Sequence, residues 1–276
     1  MKTFVRSLLF IGLVLGLASC SKLNWAVRFA DFYLTNQIDD FLDLTSAQKK
    51  ESKAEVAKVV KEIRSRDFPR LADVLEKAAA RLEATAPLER PWLDEWNDEL
   101  LEILRSSLQR FEPLALSLQS SSSSEQETHF RKEMNRRTEK LRQDASDPKR
   151  SLKKGRERVL RWIEFFVTDL TDEQTEMIEA FAKKHPVDFE AEIKNREHLL
   201  ASFLKTHGEE RKDWIRRFFA DPDALRPEAS VDASRKRQIA MKDLFVRLWD
   251  RLSEKQRDRV KETLKEKAAE FRRLSL

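Results

Sequence analysis

The sequence predicts an all-α protein, an elongated or curved assembly of antiparallel helices that follows a cleaved signal peptide. Only four glycines occur in 276 residues, and Gly12 and Gly16 lie in the N-terminal apolar segment. Because tight turns between strands need glycine for positive φ, so few glycines exclude a sheet with many hairpins. Charged residues make up 37% of the chain, and apolar residues recur at spacings of three, four and seven, which indicates amphipathic helices.

Residues 1–19 have the three parts of an export signal. Lys2 and Arg6 supply the positive end, Leu8–Leu17 is the apolar core, and two small residues precede Cys20. The apolar core is too short to cross a bilayer comfortably, so a retained transmembrane helix is the weaker interpretation. The sequence therefore predicts a cleaved signal peptide, followed by an exported body.

The four residues Leu17-Ala18-Ser19-Cys20 resemble the lipobox of bacterial lipoproteins. In those proteins the cysteine is acylated with diacylglycerol, and cleavage leaves it as the first residue of the mature chain. Cys20 is the only cysteine, so no intramolecular disulfide can form. The resemblance implies a lipid-anchored protein of the bacterial envelope. Ser21 after the cysteine favours the outer membrane, with the body facing the periplasm.

The body, residues 20–276, is predicted to be helical throughout, and its candidate subdivision lies at the polar loop Ser120–Ser124. Prolines and polar caps mark several helix boundaries. Phe68-Pro69 predicts a break or kink before a helix that ends at Ala86-Pro87. Arg90-Pro91 begins the next helix, and Asp147-Pro148 is an N-cap followed by a first helical residue. Further helices are predicted at about 23–41, 45–66, 124–145, 171–184, 187–206, 209–220, 231–250 and 253–273.

The pattern L-[ST]-x-x-Q occurs three times, and a fourth copy at 122–126 lacks the leucine. The hydroxyl of a serine or threonine at an N-cap accepts a hydrogen bond from the amide three residues later. A glutamine at that later position accepts a hydrogen bond from the N-cap amide, and the two bonds together form a capping box. Complete copies are 126 and 82 residues apart, so no repeat of fixed period is predicted. The candidate capping residues are Leu44, Thr45, Gln48, Leu170, Thr171, Gln174, Leu252, Ser253 and Gln256.

These boxes resemble the LTxxQ motifs of Spy/CpxP-type periplasmic proteins, which are small helical cradles that bind unfolded clients or dampen envelope-stress signalling. The wider layout, with the lipobox, segment 39–48 and segment 156–174, resembles an uncharacterised family of Gram-negative helical lipoproteins. This second resemblance spans most of the mature chain and implies a helical fold and a location in the cell envelope. The first one implies a binding or chaperone-like module with an envelope protein as client.

A basic stretch at 129–161 holds 13 lysines and arginines and only five acids. It could face anionic lipid headgroups or an acidic client. The alternative is a solvated surface whose positive charge is balanced by acidic residues elsewhere in the fold. This stretch suggests a second function, a membrane-tethered scaffold or spacer with a basic lipid-facing surface. Its candidate residues are Arg131, Lys132, Arg136, Arg137, Lys140, Lys153, Lys154 and Arg158.

No catalytic, cofactor or metal site is predicted, and the chain is not expected to be an enzyme. Its four histidines never form an H-x-x-x-H or H-E-x-x-H pair, and Gly155 and Gly208 cannot build a phosphate loop. The mature chain carries 52 basic and 49 acidic residues, so its charge does not predict nucleic acid as a partner. The sequence leaves the oligomeric state open.

Overall fold

The computed structural model describes residues 20–84 and 87–275, except for the side chains of residues 20–22. The predicted signal peptide and Ala86, where a helix was predicted to end, lie outside the described residues. Within those residues the protein is helical and contains no strand, so the predicted all-α class is confirmed. None of the helices in this part of the chain combines the length and the apolar character needed to cross a membrane.

Short turns connect the helices. The α-helices are α1 (Cys20–Arg28), α2 (Ala30–Leu42), α3 (Ser46–Glu62), α4 (Phe68–Glu83), α5 (Arg90–Gln109), α6 (Glu112–Ser121), α7 (Ser124–Ser146), α8 (Pro148–Glu164), α9 (Asp172–Lys184), α10 (Phe189–Lys205), α11 (Gly208–Ala220), α12 (Glu228–Asp250) and α13 (Glu254–Leu274). A π-helical turn at Ile63–Asp67 and a 3-10 turn at Pro222–Leu225 complete the described elements.

Local sequence explains several of these boundaries. The Asp147 carboxylate accepts from the amides of Lys149 at 2.9 Å and Arg150 at 3.2 Å, so it caps α8 as its sequence predicts. At the predicted break before Pro69, the chain makes the π-helical turn and continues directly into α4. The proline therefore lies in the first turn of α4, where its missing N–H costs nothing.

The helices form two compact units, and each unit takes three separate segments of the chain. Unit 1 contains the described residues up to Ile63, Leu104–Ser146 and Phe189–Val231. Unit 2 contains Arg64–Ile103, Asp147–Asp188 and Asp232–Leu276. The Ser120–Ser124 segment lies inside unit 1, so the boundaries between the units fall elsewhere.

Unit 1 has a core of apolar side chains from α3 and α6. Aromatic rings extend it, with Phe130 at 6.4 Å from Phe41 and at 5.6 Å from Phe203, measured between ring centroids. These contacts hold α7 between α2 and α10. The buried core residues are Val56, Val59, Phe111, Leu114 and Leu118.

Unit 2 has a core formed by α4, α8, α9, α12 and α13. The long last helix packs along α4, where the rings of Phe68 and Phe271 meet edge to face at 5.0 Å. At the rim of the same contact, Arg272 donates to Asp73 and Glu76, each at 2.7 Å. The buried core residues include Ala78, Val159, Ile163, Ile178, Leu244, Leu248 and Leu264.

Candidate functional site

The three complete boxes begin α3, α9 and α13. In each of them the hydroxyl at the N-cap, from Thr45, Thr171 or Ser253, accepts from the amide three residues later at 3.2 to 3.3 Å. The glutamine side chain in turn accepts from the N-cap amide at 3.0 Å. Both halves of the capping box are therefore present in each copy.

The incomplete copy is also a full capping box. The Ser123 hydroxyl accepts from the amide of Gln126 at 3.3 Å, and the Gln126 side chain accepts from the Ser123 amide at 3.1 Å. The missing leucine does not matter here because the two reciprocal bonds need only the serine and the glutamine. Each unit thus contains two boxes.

Within each unit the two glutamines bind each other. In unit 2 the Gln174 amide nitrogen donates to Gln256 at 2.9 Å, and Gln256 donates back at 3.0 Å. In unit 1 the same exchange joins Gln48 and Gln126, at 3.3 and 2.8 Å. All four glutamines are buried. The boxes therefore form two internal pairs, one in each unit.

The second hydrogen of each amide is also used. Gln174 donates to the carbonyl of Arg251 at 2.9 Å, and Gln256 donates to the carbonyl of Asp169 at 3.0 Å. Each acceptor lies two residues before the partner's N-cap. Each glutamine in this pair therefore uses both amide hydrogens and accepts at least two hydrogen bonds at its oxygen, which satisfies the whole side chain.

Unit 1 repeats this pattern. Gln126 donates to the carbonyl of Asp43 at 2.9 Å and Gln48 to the carbonyl of Ser121 at 3.1 Å, so both acceptors again lie two residues before a cap. Gln48 and Gln174 are 126 residues apart, and Gln126 and Gln256 are 130 apart. The structural repeat thus has a nearly constant period, which the spacing of the three complete boxes alone does not reveal.

The leucines of the boxes support the helix corners. Leu252 is buried in the core of unit 2, and Leu170 packs against that core. Leu44 packs against the core of unit 1. A hydrophobic residue before an N-cap that packs inward fixes the angle at which the chain enters the helix. The boxes are therefore internal joints of the fold, and their buried glutamines offer no surface to a client.

The basic candidates on α7 belong to unit 1. Arg131, Lys132, Arg136 and Lys140 are exposed, and the last three follow one another at intervals of four residues. Such spacing places them along one stripe of the helix. Arg136 donates to the Glu133 carboxylate at 2.6 Å, and this hydrogen bond lowers the pKa of Glu133. Glu133 on α7 thus neutralises part of the positive charge of this stripe.

Arg137, which the sequence groups with these cations, turns towards the protein. Its guanidinium lies 3.9 Å from the centroid of the Phe41 ring, which is a cation–π contact. Burial lowers the pKa of Arg137, and the side chain is only a quarter exposed. Arg137 therefore contributes more to the packing of α7 against α2 than to the basic surface of α7.

The other basic candidates lie on α8 in unit 2. Lys153 is exposed, while Lys154 and Arg158 are half-buried. Burial lowers the pKa of the nearby Arg237, and the positive charge of Arg158 lowers it further. Positive charge is thus concentrated at this helix. The stretch 129–161 is split between the units, with its first five candidates in unit 1 and its last three in unit 2.

Apolar side chains are also exposed on α8. Residues 152, 155, 159 and 162 follow the three- and four-residue spacing of one helix stripe. Gly155 and Val159 in the middle of this stripe are buried, whereas Leu152 and Trp162 at its ends are 50% and 40% exposed. Helix α8 therefore presents apolar and basic side chains together.

A second set of exposed residues consists of the aromatic side chains of Trp25, Phe29, Phe32 and Tyr33 on α1 and α2. They follow Cys20, which is the first residue of α1 and whose side chain is outside the described part. Among the described residues, no group of three or more histidine, cysteine or acidic side chains could hold a metal ion.

The fold and the box geometry define an all-α protein of two units, each built from three chain segments and containing one buried glutamine pair. The model of a family of unknown function (DUF6279) matches residues 40–230, which is more than two thirds of the chain, and the protein belongs to this family. No curated protein and no solved structure matches the chain.

Proposed function

We propose that this protein is a lipid-anchored binding module of the bacterial envelope, held to the outer membrane by acylated Cys20 and facing the periplasm. The anchor is supported by the sequence, in which two small residues precede the only cysteine at the end of an export signal. The body is proposed to act as a chaperone-like module rather than as an enzyme. Its client would be an envelope protein.

The observation that carries the binding role is the surface of α8. This helix holds seven lysines and arginines against two acids, and Leu152 and Trp162 remain exposed beside them. Positive charge attracts an acidic segment, and exposed apolar side chains can bury the apolar residues of an unfolded chain. We therefore propose an acidic segment of an unfolded envelope protein as the client.

An aggregation assay tests this role. The mature chain, residues 20–276 with Cys20→Ser to avoid a free thiol, is added to an acidic protein that aggregates on unfolding. We expect it to suppress light scattering, and we expect Leu152→Ser with Trp162→Ser to lose most of this protection. The control is Ile239→Ser, which changes another exposed apolar side chain of unit 2. Absence of protection by the unaltered sequence would reject the chaperone-like role.

A charge reversal tests the second half of the proposal. Lys153→Glu should weaken protection of the acidic client, because it replaces an exposed attractive charge on α8 with a repulsive one. Lys255→Glu makes the same change on α13, where the side chain is also exposed, and should leave protection unchanged. Equal effects of the two reversals would show that only the net charge of the protein matters.

A second function is favoured by the cation stripe on α7. In this alternative the protein is a membrane-tethered scaffold, and Lys132, Arg136 and Lys140 lie on anionic headgroups. The Cys20→Ser chain should then bind vesicles that contain phosphatidylglycerol, and added salt should release it. Lys132→Glu with Lys140→Glu should abolish this binding. If the Cys20→Ser chain does not bind anionic vesicles, the scaffold role is excluded.

A further inference from the structure

The exposed side of the first two helices is aromatic. Between Leu23 and Tyr33 the exposed residues are Asn24, Trp25, Arg28, Phe29, Phe32 and Tyr33. Four of these six side chains are aromatic and none is acidic. Trp25, Phe32 and Tyr33 are each more than half exposed. Large apolar side chains are rarely grouped in this way on a surface that faces only water.

Helix geometry places the four aromatic residues on one side. They stand at positions i, i+4, i+7 and i+8, and the helical hydrogen bonds continue through the junction of α1 and α2, from the Phe29 amide to the Trp25 carbonyl at 3.1 Å and from the Tyr33 amide to the Phe29 carbonyl at 2.9 Å. Leu23 and Val27 are buried on the other side. We call the set Trp25, Phe29, Phe32 and Tyr33 the aromatic face.

We infer that the aromatic face lies in the headgroup region of the membrane leaflet that holds the acyl chains of Cys20. This inference rests on the proposed lipid anchor. Trp25 follows the cysteine by five residues, about 7.5 Å of helix, and Phe32 follows it by about 18 Å, at 1.5 Å per residue. The anchor thus brings the face to the membrane surface.

The chemistry of the face fits this occupant. Tryptophan and tyrosine concentrate at membrane–water interfaces, and a helix with one aromatic side and one protein-packed side can lie parallel to the surface. Arg28 is the charged residue on the exposed side between Leu23 and Tyr33, and its guanidinium can bind lipid phosphate. Asp31, the acid in this stretch, is half-buried, so anionic headgroups would meet little like charge on the exposed side.

A fluorescent label tests the inference in the processed lipoprotein. The full chain with Phe32→Cys is matured in a bacterial envelope, labelled with a polarity-sensitive thiol dye and reconstituted into vesicles of phosphatidylethanolamine and phosphatidylglycerol. Acylated Cys20 does not react with the dye. We expect blue-shifted emission that nitroxide lipids quench and aqueous iodide does not. The control is Glu95→Cys, an exposed position on α5, which should show the opposite quenching.

The outcomes separate this inference from the anchor on which it rests. Mass spectrometry of the N-terminal peptide shows whether Cys20 is acylated, and an unmodified cysteine would overturn both proposals. If Cys20 is acylated but iodide quenches the label at position 32, the aromatic face is in water and only the inference fails. A label that neither quencher reaches would mean that a protein covers the face, as a client or second copy would, which also overturns the inference.

Discussion

The side chains of Gln174 and Gln256 donate to each other, at 2.9 and 3.0 Å, across two helix corners that lie 82 residues apart in the sequence. Each side chain also belongs to the capping box of its own helix. A local motif that begins a helix thereby becomes a tertiary contact. Because an unpaired buried hydrogen-bonding group costs about 1–3 kcal/mol, each corner depends on the other.

The first prediction separates the two roles of the glutamine. Gln256→Glu keeps a working capping box, since glutamate is as good as glutamine at this position. The carboxylate has no hydrogen to donate to Gln174 or to the carbonyl of Asp169. We expect the free energy of unfolding at pH 7 to fall by about 3 kcal/mol, since buried partners lose their bonds. Urea unfolding measures this change.

Acid should partly restore this variant, because a protonated carboxyl group again has a hydrogen to donate. The matched control is Gln143→Glu, an exposed position on α7, which should change stability by less than about 0.5 kcal/mol. If Gln256→Glu is as stable as the unaltered protein at pH 7, helix capping alone explains the motif and the amide pair contributes nothing.

The second prediction concerns the cap itself. Thr171→Ala removes the hydroxyl that accepts from the Gln174 amide. We expect a loss of about 1 kcal/mol in the free energy of unfolding, as for other N-caps. Thr168→Ala, at an exposed position three residues earlier, is the control and should have a much smaller effect. Equal losses in the two variants would argue against the cap as the cause.

The third prediction concerns a buried ion pair in α13. The Lys267 ammonium donates to the Glu270 carboxylate at 2.9 Å, and both side chains are more than nine-tenths buried. Lys267→Met leaves the carboxylate buried without its cation and should cost about 3–5 kcal/mol. Adding Glu270→Leu removes the stranded charge and should recover most of this loss. A double variant no more stable than the single one would contradict the explanation.

The fourth prediction is a pH dependence in unit 1. The Glu127 carboxylate accepts from Arg211 at 2.5 Å, and this bond lowers the pKa of Glu127. The folded state therefore favours the ionised form. The contribution to stability is fully present above the unfolded pKa of about 4.3, and it is lost as the pH falls through the lower folded pKa.

Glu127→Gln should remove this contribution, so the variant should lose less stability than the unaltered protein when the pH falls from about 5 to about 3. Urea unfolding over this pH range gives the comparison. Glu95→Gln, at an exposed position on α5, serves as the control. If both variants follow the pH profile of the unaltered protein, the Arg211 contact does not influence acid stability.

Sequence could predict the features that local chemistry determines. Asp147-Pro148 begins α8 because a carboxylate cap and a proline at the first position both act within one turn. The pairing of Gln48 with Gln126 could not be predicted, because it joins residues 78 positions apart through a side-chain contact that no local pattern specifies. The division of the chain between the units depends on many such distant contacts.

The candidate surfaces show the same limit. The basic residues at 131–158 are close in sequence, but the chain passes from unit 1 to unit 2 after Ser146. The four-residue spacing of Trp162 and Phe166 predicts that both side chains pack into the core, but Trp162 is 40% exposed. Because α8 ends at Glu164, Phe166 lies outside the helix and packs against Trp96, so the two rings do not share one helix face.

The segments of the two units alternate along the sequence, and this order determines when each unit can be completed during synthesis. Unit 1 needs residues as late as Val231, and unit 2 needs the last helix, α13, although both units already contain residues from the first quarter of the sequence. Because the N-terminal segments are synthesised first, the first four helices are made before some of the helices against which they pack. Unit 1 is complete only once Val231 has been made and unit 2 only once α13 has been made, so a premature stop before the end of α13 damages at least one of them.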